Sequence, residues 1–278
     1  MADVSILPAT EVDFGEFTRV LNEAYQDYYV PLDMDAAQLR DNIARYNTLM
    51  TASRVATVDG ATVGLGMLAQ RGKRGWIGGV GVVEPYRRQG IGRKLMDGLL
   101  SAAREIDVDT VQLEVIAKNN RARALYDSMG FEEIRTLHIA EGYARFASTA
   151  YRFQEVKMGD VFKFFDAFHT TPLPWQRERA SIEGLANKVT GMVALNDDGV
   201  QAFALGIFRL DVIRYVDLAH APGQRDALKA LVGEIHRQNP VAAGSIINIG
   251  EDDPAWSVLL DLGYMPYLSQ HEMLLKLS

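Results

Sequence analysis

The 278-residue chain contains no cysteine. That excludes disulfides, thiolate metal sites, iron–sulfur clusters and any route that parks an acyl group on a cysteine. Its five histidines show no metal-ligand spacing, so no metal is expected. No apolar run approaches the roughly 18 residues of a membrane span. The opening MADVSILPATEVDF has no basic stretch followed by an apolar core, so the expectation is a cytoplasmic protein with no membrane partner. Positive charge is also scarce: 29 basic against 36 acidic residues give a net charge of −7, without the basic footprint of a nucleic-acid binder. One local exception stands out. Residues 87–94 hold Arg87, Arg88, Arg93 and Lys94 and no acid, which suits a small anionic ligand better than a long polyanion.

What is present, 48% apolar and 23% charged residues, is an ordinary globular composition with length for two domains. The chain also repeats itself. A strand near 4–7, helical patterns over 14–25 and 35–46, a hairpin turning at Asp59-Gly60, and a strand at 76–83 lead into a helix over 91–105. A strand at 110–116, a helix over 121–129 and closing strands near 134–140 and 144–146 follow. From Tyr151 the order recurs: strand 153–157, helices near 161–169 and 175–185, a hairpin turning at Asp197-Asp198-Gly199, and a strand at 212–219. A helix over 224–238, a strand at 245–249, a helix over 254–262 and a last strand near 272–277 complete it. Gly60 maps to Gly199 and Gly130 to Gly263. The pattern reads as a duplication, with domains 1–148 and 149–278.

Chemistry concentrates in GWIGGVGVVEPYRRQGIGRKLMDGLL, residues 75–100. Gly78, Gly79 and Gly81 weaken a strand unless a bulge or a close approach needs their missing side chains. Gly90 and Gly92 open a helix, where free backbone N–H groups and the dipole favour an anion such as a diphosphate. A dinucleotide fold would require G-x-G-x-x-G, yet Leu95 fills the third glycine position, and no Gly-Lys-Ser/Thr makes a P-loop. A nicotinamide-dependent oxidoreductase is therefore the weakest of the readings.

Taken together, Arg87-Arg88-Gln89-Gly90-Ile91-Gly92 resembles the Q/R-x-x-G-x-G/A signature of the GNAT superfamily of N-acetyltransferases. NNRARALYDSMGF, residues 119–131, resembles that family's second motif, with Asn119, Ala122, Leu125, Tyr126, Gly130 and Phe131 in the matching places. Pro85 sits one place later than usual. The resemblance implies an α/β fold of two GNAT-like domains in tandem, each a mixed, mostly antiparallel twisted sheet flanked by helices. It implies acetyl-CoA as co-substrate, its diphosphate held by Arg87, Arg88, Gln89, Gly90, Ile91, Gly92, Arg93 and Lys94, and its pantetheine along Val82 and Val83. Asn119 would touch the pantetheine or cap its helix. Tyr126 would protonate the departing thiolate, because a phenol near pKa 10 stays protonated at neutral pH. Glu84 and Glu114 are the candidates for a general base. Tyr25, Tyr28 and Tyr29 could wall the cleft for the acceptor, a small-molecule or peptide amine. Monomer and homodimer are both open, and a non-catalytic acetyl-CoA sensor or docking module is the alternative function.

The second half departs from these motifs. Helix register over Leu95 and Leu231 puts Asp226 at Gly90 and Leu228 at Gly92, while Asp252 replaces Asn119 and Leu259 replaces Tyr126. Anion grip and proton donor are lost together. This half is expected to be degenerate, serving structure or the acceptor site.

Overall fold

The computed structural model describes residues 4–30, 32–185 and 188–277. Pro31 of the tyrosine-rich loop and the first three residues lie outside this range. The chain divides into two compact units, Met1–Ile134 with His271–Ser278, and Arg135–Gln270.

In the first unit, β1 (Val4–Pro8) is followed by α1 (Phe14–Tyr25) and α2 (Ala36–Tyr46). Asp13 caps α1, and Asp35 with Gln38 forms a reciprocal capping box on α2. β2 (Arg54–Val58) and β3 (Ala61–Arg71) form the expected hairpin. Asp59 and Gly60 both take positive φ, 49° and 82°, as a tight primed turn demands. β4 (Arg74–Val82), α3 (Ile91–Glu105), β5 (Thr110–Ile116) and α4 (Asn120–Asp127) follow. The strand order is β1-β2-β3-β4-β5, antiparallel except for the parallel β4–β5 pair. Leu95, Leu99, Val111 and Leu113 are buried between α3 and the sheet.

The second unit repeats the series: β7 (Arg152–Val156), α5 (Met158–Phe168), α6 (Arg179–Glu183), β8 (Thr190–Asn196), β9 (Gly199–Arg209), β10 (Val212–His220), α7 (Arg225–Gln238), β11 (Gly244–Gly250) and α8 (Pro254–Asp261). Its order is β7-β8-β9-β10-β11, again antiparallel except for β10–β11. α6 is shorter than the stretch 175–185 suggested.

The closing strands do not stay with their own repeats. β6 (Glu132–Gly142) pairs antiparallel with β11, through Leu137↔Gly250 to Gly142↔Gly244. The end of β12 (Met265–Lys276) lies beside β5 in the first unit, where the Leu277 N–H donates to the Asp109 carbonyl at 2.8 Å and Gln112 donates to buried Glu272 at 3.1 Å. The units therefore divide at Ile134 and again at Gln270, unlike a cut near residue 148. The strand expected near 144–146 is absent, because that extended segment packs its main chain on Gly233 of α7.

Candidate active site in the first unit

β4 pairs with β5 only from Arg74 to Ile77, and beyond Ile77 the two strands separate. A bulge lies at the same point, since Met67 faces Gly79, Leu68 faces Ile77, and Gly78 has no partner on β3. The Val83 N–H donates to Val63 of β3 at 2.9 Å. Antiparallel bonds alternate along a strand, so the N–H groups of Val82 and Val80 aim into the gap and that of Val83 does not.

The expected bulge falls at Gly78, while the approach that was expected from a ligand comes from neighbouring side chains. A Cβ on Gly78 would meet the Trp76 ring, one on Gly79 would lie 2.8 Å from the Tyr25 hydroxyl, and one on Gly81 would lie 2.8 Å from Ala24. Protein side chains, not a ligand, claim that space.

After β4, a single 3-10 turn (Glu84–Tyr86) leads to Arg88, which is left-handed at φ 66°, and Gly90, at φ 79° and ψ 0°. Left-handed Gly90 followed by helical Ile91 turns successive N–H groups into one concavity, an anion nest at the start of α3. No side chain caps α3, and a Cβ built on Gly90 meets nothing within 4 Å. Arg87 is otherwise engaged: its Nε donates to the Val82 carbonyl at 2.8 Å and its Nη2 to the Ala24 carbonyl at 3.1 Å, bracing the loop against α1. Gln89 donates to the Pro85 carbonyl, and Arg93 donates to Ser128 at 3.0 Å.

A cavity of about 430 Å³ joins these parts. Val82, Arg87, Arg88, Gly90, Ile91, Gly92, Arg93, Asn119 and Tyr126 line it, as do Tyr25, Tyr28 and Tyr29. Val83, Gln89, Lys94, Glu84 and Glu114 are not among its lining residues. Glu84 is exposed on the turn, and strand alternation puts Glu114 beside Trp76, whose indole N–H it accepts at 2.8 Å. Asn119 caps α4, accepting from the Ala122 N–H at 3.1 Å, and its amide faces the Tyr28 hydroxyl at 3.4 Å. Tyr25, Tyr28 and Tyr29 stack edge to face in sequence, with centroids 5.1 and 5.3 Å apart. Burial, and secondarily the neighbouring Tyr28, pushes the Tyr126 phenol well above its ordinary range, so it holds its proton. Sequence reasoning missed Asp27, Tyr86 and Arg121, which also line the cavity. No motif marks them.

The sequence pattern of the acetyltransferase (GNAT) family matches residues 16–131, the stretch that builds this cavity. Residues 16–131 are a GNAT domain. An N-alpha-acetyltransferase of Sulfurisphaera tokodaii is 35% identical over 30% of this chain and 58% of its own. The ribosomal protein bS18-alanine N-acetyltransferase of Escherichia coli is 48% identical over 18% of this chain and 35% of its own. The chain thus spans little more than half of the first relative and about a third of the second. In fold, a tandem GNAT protein from the clavulanic acid biosynthesis pathway covers 99% of this chain and 98% of its own, with a TM-score of 0.71 at 14% identity.

The second unit has the GNAT order of elements, and its strand pair opens at the same place. β10 pairs with β11 only from Ile213 to Tyr215 and bulges at Val216, as β4 does at Gly78. Past this point stands buried Asp217, held by Arg177 at 2.6 and 3.0 Å and by His169 at 2.8 Å. Arg177, 1% exposed, also donates to Asp253 at 2.8 Å. Asp253 caps α8, so the counterpart of Asn119 is Asp253 rather than Asp252. Cap registry likewise moves Asp226 from Gly90 to the place of Gly92, while Leu228 is buried in the core. At the other end of α8 the Tyr264 N–H bonds the Leu259 carbonyl as the Phe131 N–H bonds that of Tyr126, so Leu259 keeps the position of Tyr126.

Proposed function

We propose that this chain is an acetyl-CoA-dependent N-acetyltransferase, with its single donor site in the first unit and a degenerate second unit. The observation that carries the reading is one cavity lined at once by the Gly90–Ile91 nest, by Val82 and Val80 of the free edge of β4, and by Tyr126. The nest suits a diphosphate, and the open space over Gly90 admits it. The N–H groups on the free edge of β4 suit the amides of a pantetheine arm and the carbonyl of its thioester.

In the reaction, a neutral amine attacks the acetyl carbon, forming the N–C bond while the C–S bond breaks and its electron pair moves to sulfur. The Tyr126 phenol donates a proton to that sulfur, and the proton lost by the ammonium formed on nitrogen passes through water to restore the phenol, so that none is gained or lost overall. No cysteine is available for an acyl-enzyme.

An α-amine is the acceptor class supported best. Among the described residues Asp27 is the only carboxylate lining the cavity, so there is little to deprotonate an amine there. An α-amine, with pKa about 7.7–8.0, is partly neutral at working pH, whereas lysine near 10.4 is not. The names of the two curated relatives fit this class.

The test is thiol release from acetyl-CoA with peptides carrying either a free N-terminus or a single lysine behind a blocked N-terminus. Turnover with the first set is expected. Tight acetyl-CoA binding with no turnover on any amine would favour a sensor, and absence of binding would remove the reading altogether.

A further inference from the structure

Two unlike groups of residues line the cavity. Gly90–Arg93 and Arg88 line it where α3 begins, and Tyr25, Tyr28 and Tyr126 cluster against one another, with Tyr25 beside Val80 of β4. Tyr25 is held from several sides. Its hydroxyl meets the Val80 carbonyl at 3.4 Å and its ring packs edge-on to Tyr28. Its atoms also come within 2.8 Å of where a Cβ of Gly79 would be and 3.0 Å of where one of Gly81 would be. The ring therefore rests on the same strand whose free edge runs along the cavity, on the donor side of the site.

That placement does not suit a wall for the acceptor. If the diphosphate of the donor sits at the nest, as the reading above requires, the thioester arrives at the tyrosine cluster, and any carbon beyond the acyl carbonyl is directed at Tyr25. We propose that Tyr25 sets the acyl-chain length of the donor, closing the cavity behind a two-carbon acyl group so that acetyl-CoA fits and longer acyl-CoAs do not. Two features make the ring a fixed stop. Ala24 and Tyr25 occupy the space left by Gly81 and Gly79, so the ring cannot sink toward β4, and Tyr28 blocks its swing away. The bulk of the ring carries the effect, and its hydroxyl only orients it.

This inference rests on the acetyl-CoA reading, and binding alone tests it, without an acceptor. The full chain is titrated calorimetrically with CoA, acetyl-CoA, butyryl-CoA and hexanoyl-CoA, for the wild type, Tyr25→Phe, Tyr25→Leu and Tyr25→Ala. Where a pocket has room, each added methylene improves binding about fourfold. In the wild type the opposite trend is expected, with hexanoyl-CoA at least tenfold weaker than acetyl-CoA. Tyr25→Phe should keep that order. Tyr25→Leu should relax it and Tyr25→Ala should abolish or invert it, while affinity for CoA itself stays within about threefold. A wild type that binds hexanoyl-CoA as well as acetyl-CoA overturns the proposal, even if Tyr25→Ala fails to fold. Equal weakening of every acyl-CoA by Tyr25→Ala, or an altered order in Tyr25→Phe, also overturns it. If the wild type binds no CoA at all, the donor-site reading falls and this one with it.

Discussion

At the scale of the residue, Gly92 and Tyr126 carry the sharpest expectations. A Cβ at Gly92 would sit 4.0 Å from Leu125, so the backbone tolerates a side chain there, whereas a carboxylate would face the nest. Gly92→Asp should leave the circular dichroism spectrum unchanged and weaken acetyl-CoA binding by more than a hundredfold in calorimetry. Tyr126→Phe should lower turnover by roughly 10²–10⁴-fold with donor affinity nearly unchanged, since the lost interaction forms mainly in the transition state. The pH profile gives a second check. Burial raises the Tyr126 pKa above its ordinary value near 10, so the phenol stays protonated through the whole working range. No alkaline limb below about pH 10 should come from this residue, and Tyr126→Phe should lower the profile without shifting it. Both residues were legible because the sequence carries them inside motifs. The cause of Gly79 and Gly81 was not: a glycine in a strand announces a close approach, but Tyr25 comes from a helix more than fifty residues away. At Arg87, which lines the cavity, two main-chain carbonyls engage the guanidinium that charge counting assigns to an anion, and no motif shows those partners.

At the scale of the element, the same strand pair opens in both units, and what fills the opening differs. In the second unit Arg177 connects β10 to the cap of α8, the two elements whose counterparts border the cavity of the first. Removing it strands a buried carboxylate. Burial by itself would raise the Asp217 pKa, but His169 and Arg177 more than offset this and hold it below the usual range. Arg177→Met should destabilise the chain by about 3–5 kcal/mol at neutral pH, measured by urea unfolding. The stabilisation linked to Asp217 is present above its unfolded pKa near 3.9 and fades as pH falls below it, so the gap between variant and wild type should narrow toward pH 3. Loss of the Asn119 cap is milder, with Asn119→Ala expected to cost about 1 kcal/mol. Apolar periodicity and the two hairpin turns made nearly every element readable from sequence. The missteps came where geometry intervened: one residue of slack between cap and C-terminal glycine moved the Asn119 counterpart to Asp253, and the first seven residues of β12, with Pro266 among them and Met265 and Tyr267 exposed, hid their strand character.

At the scale of the whole molecule, the second unit has Leu259 where the first has Tyr126, and Arg177 bridges Asp217 and Asp253 on the elements whose counterparts line the cavity. One equivalent of acetyl-CoA per chain is expected in calorimetry, and Leu259→Tyr should add none. Truncation is governed by strand exchange, which no local pattern reveals, because a strand's sequence fixes its face and not its neighbour. Deleting residues 271–278 should leave β5 without its outer partner and either remove soluble protein or weaken acetyl-CoA binding at least tenfold, and a fragment ending at residue 148 should fail in the same way. The exchange also reaches into synthesis. His271 leaves the ribosome 137 residues after Ile134, which at about 5–20 residues per second is roughly 7–27 s. Throughout that interval the nascent first unit waits with an unpaired strand edge, an aggregation hazard of the kind chaperones cover. Translation that stops before residue 271 would then yield a polypeptide that holds every residue lining the cavity and still lacks the strand beside β5.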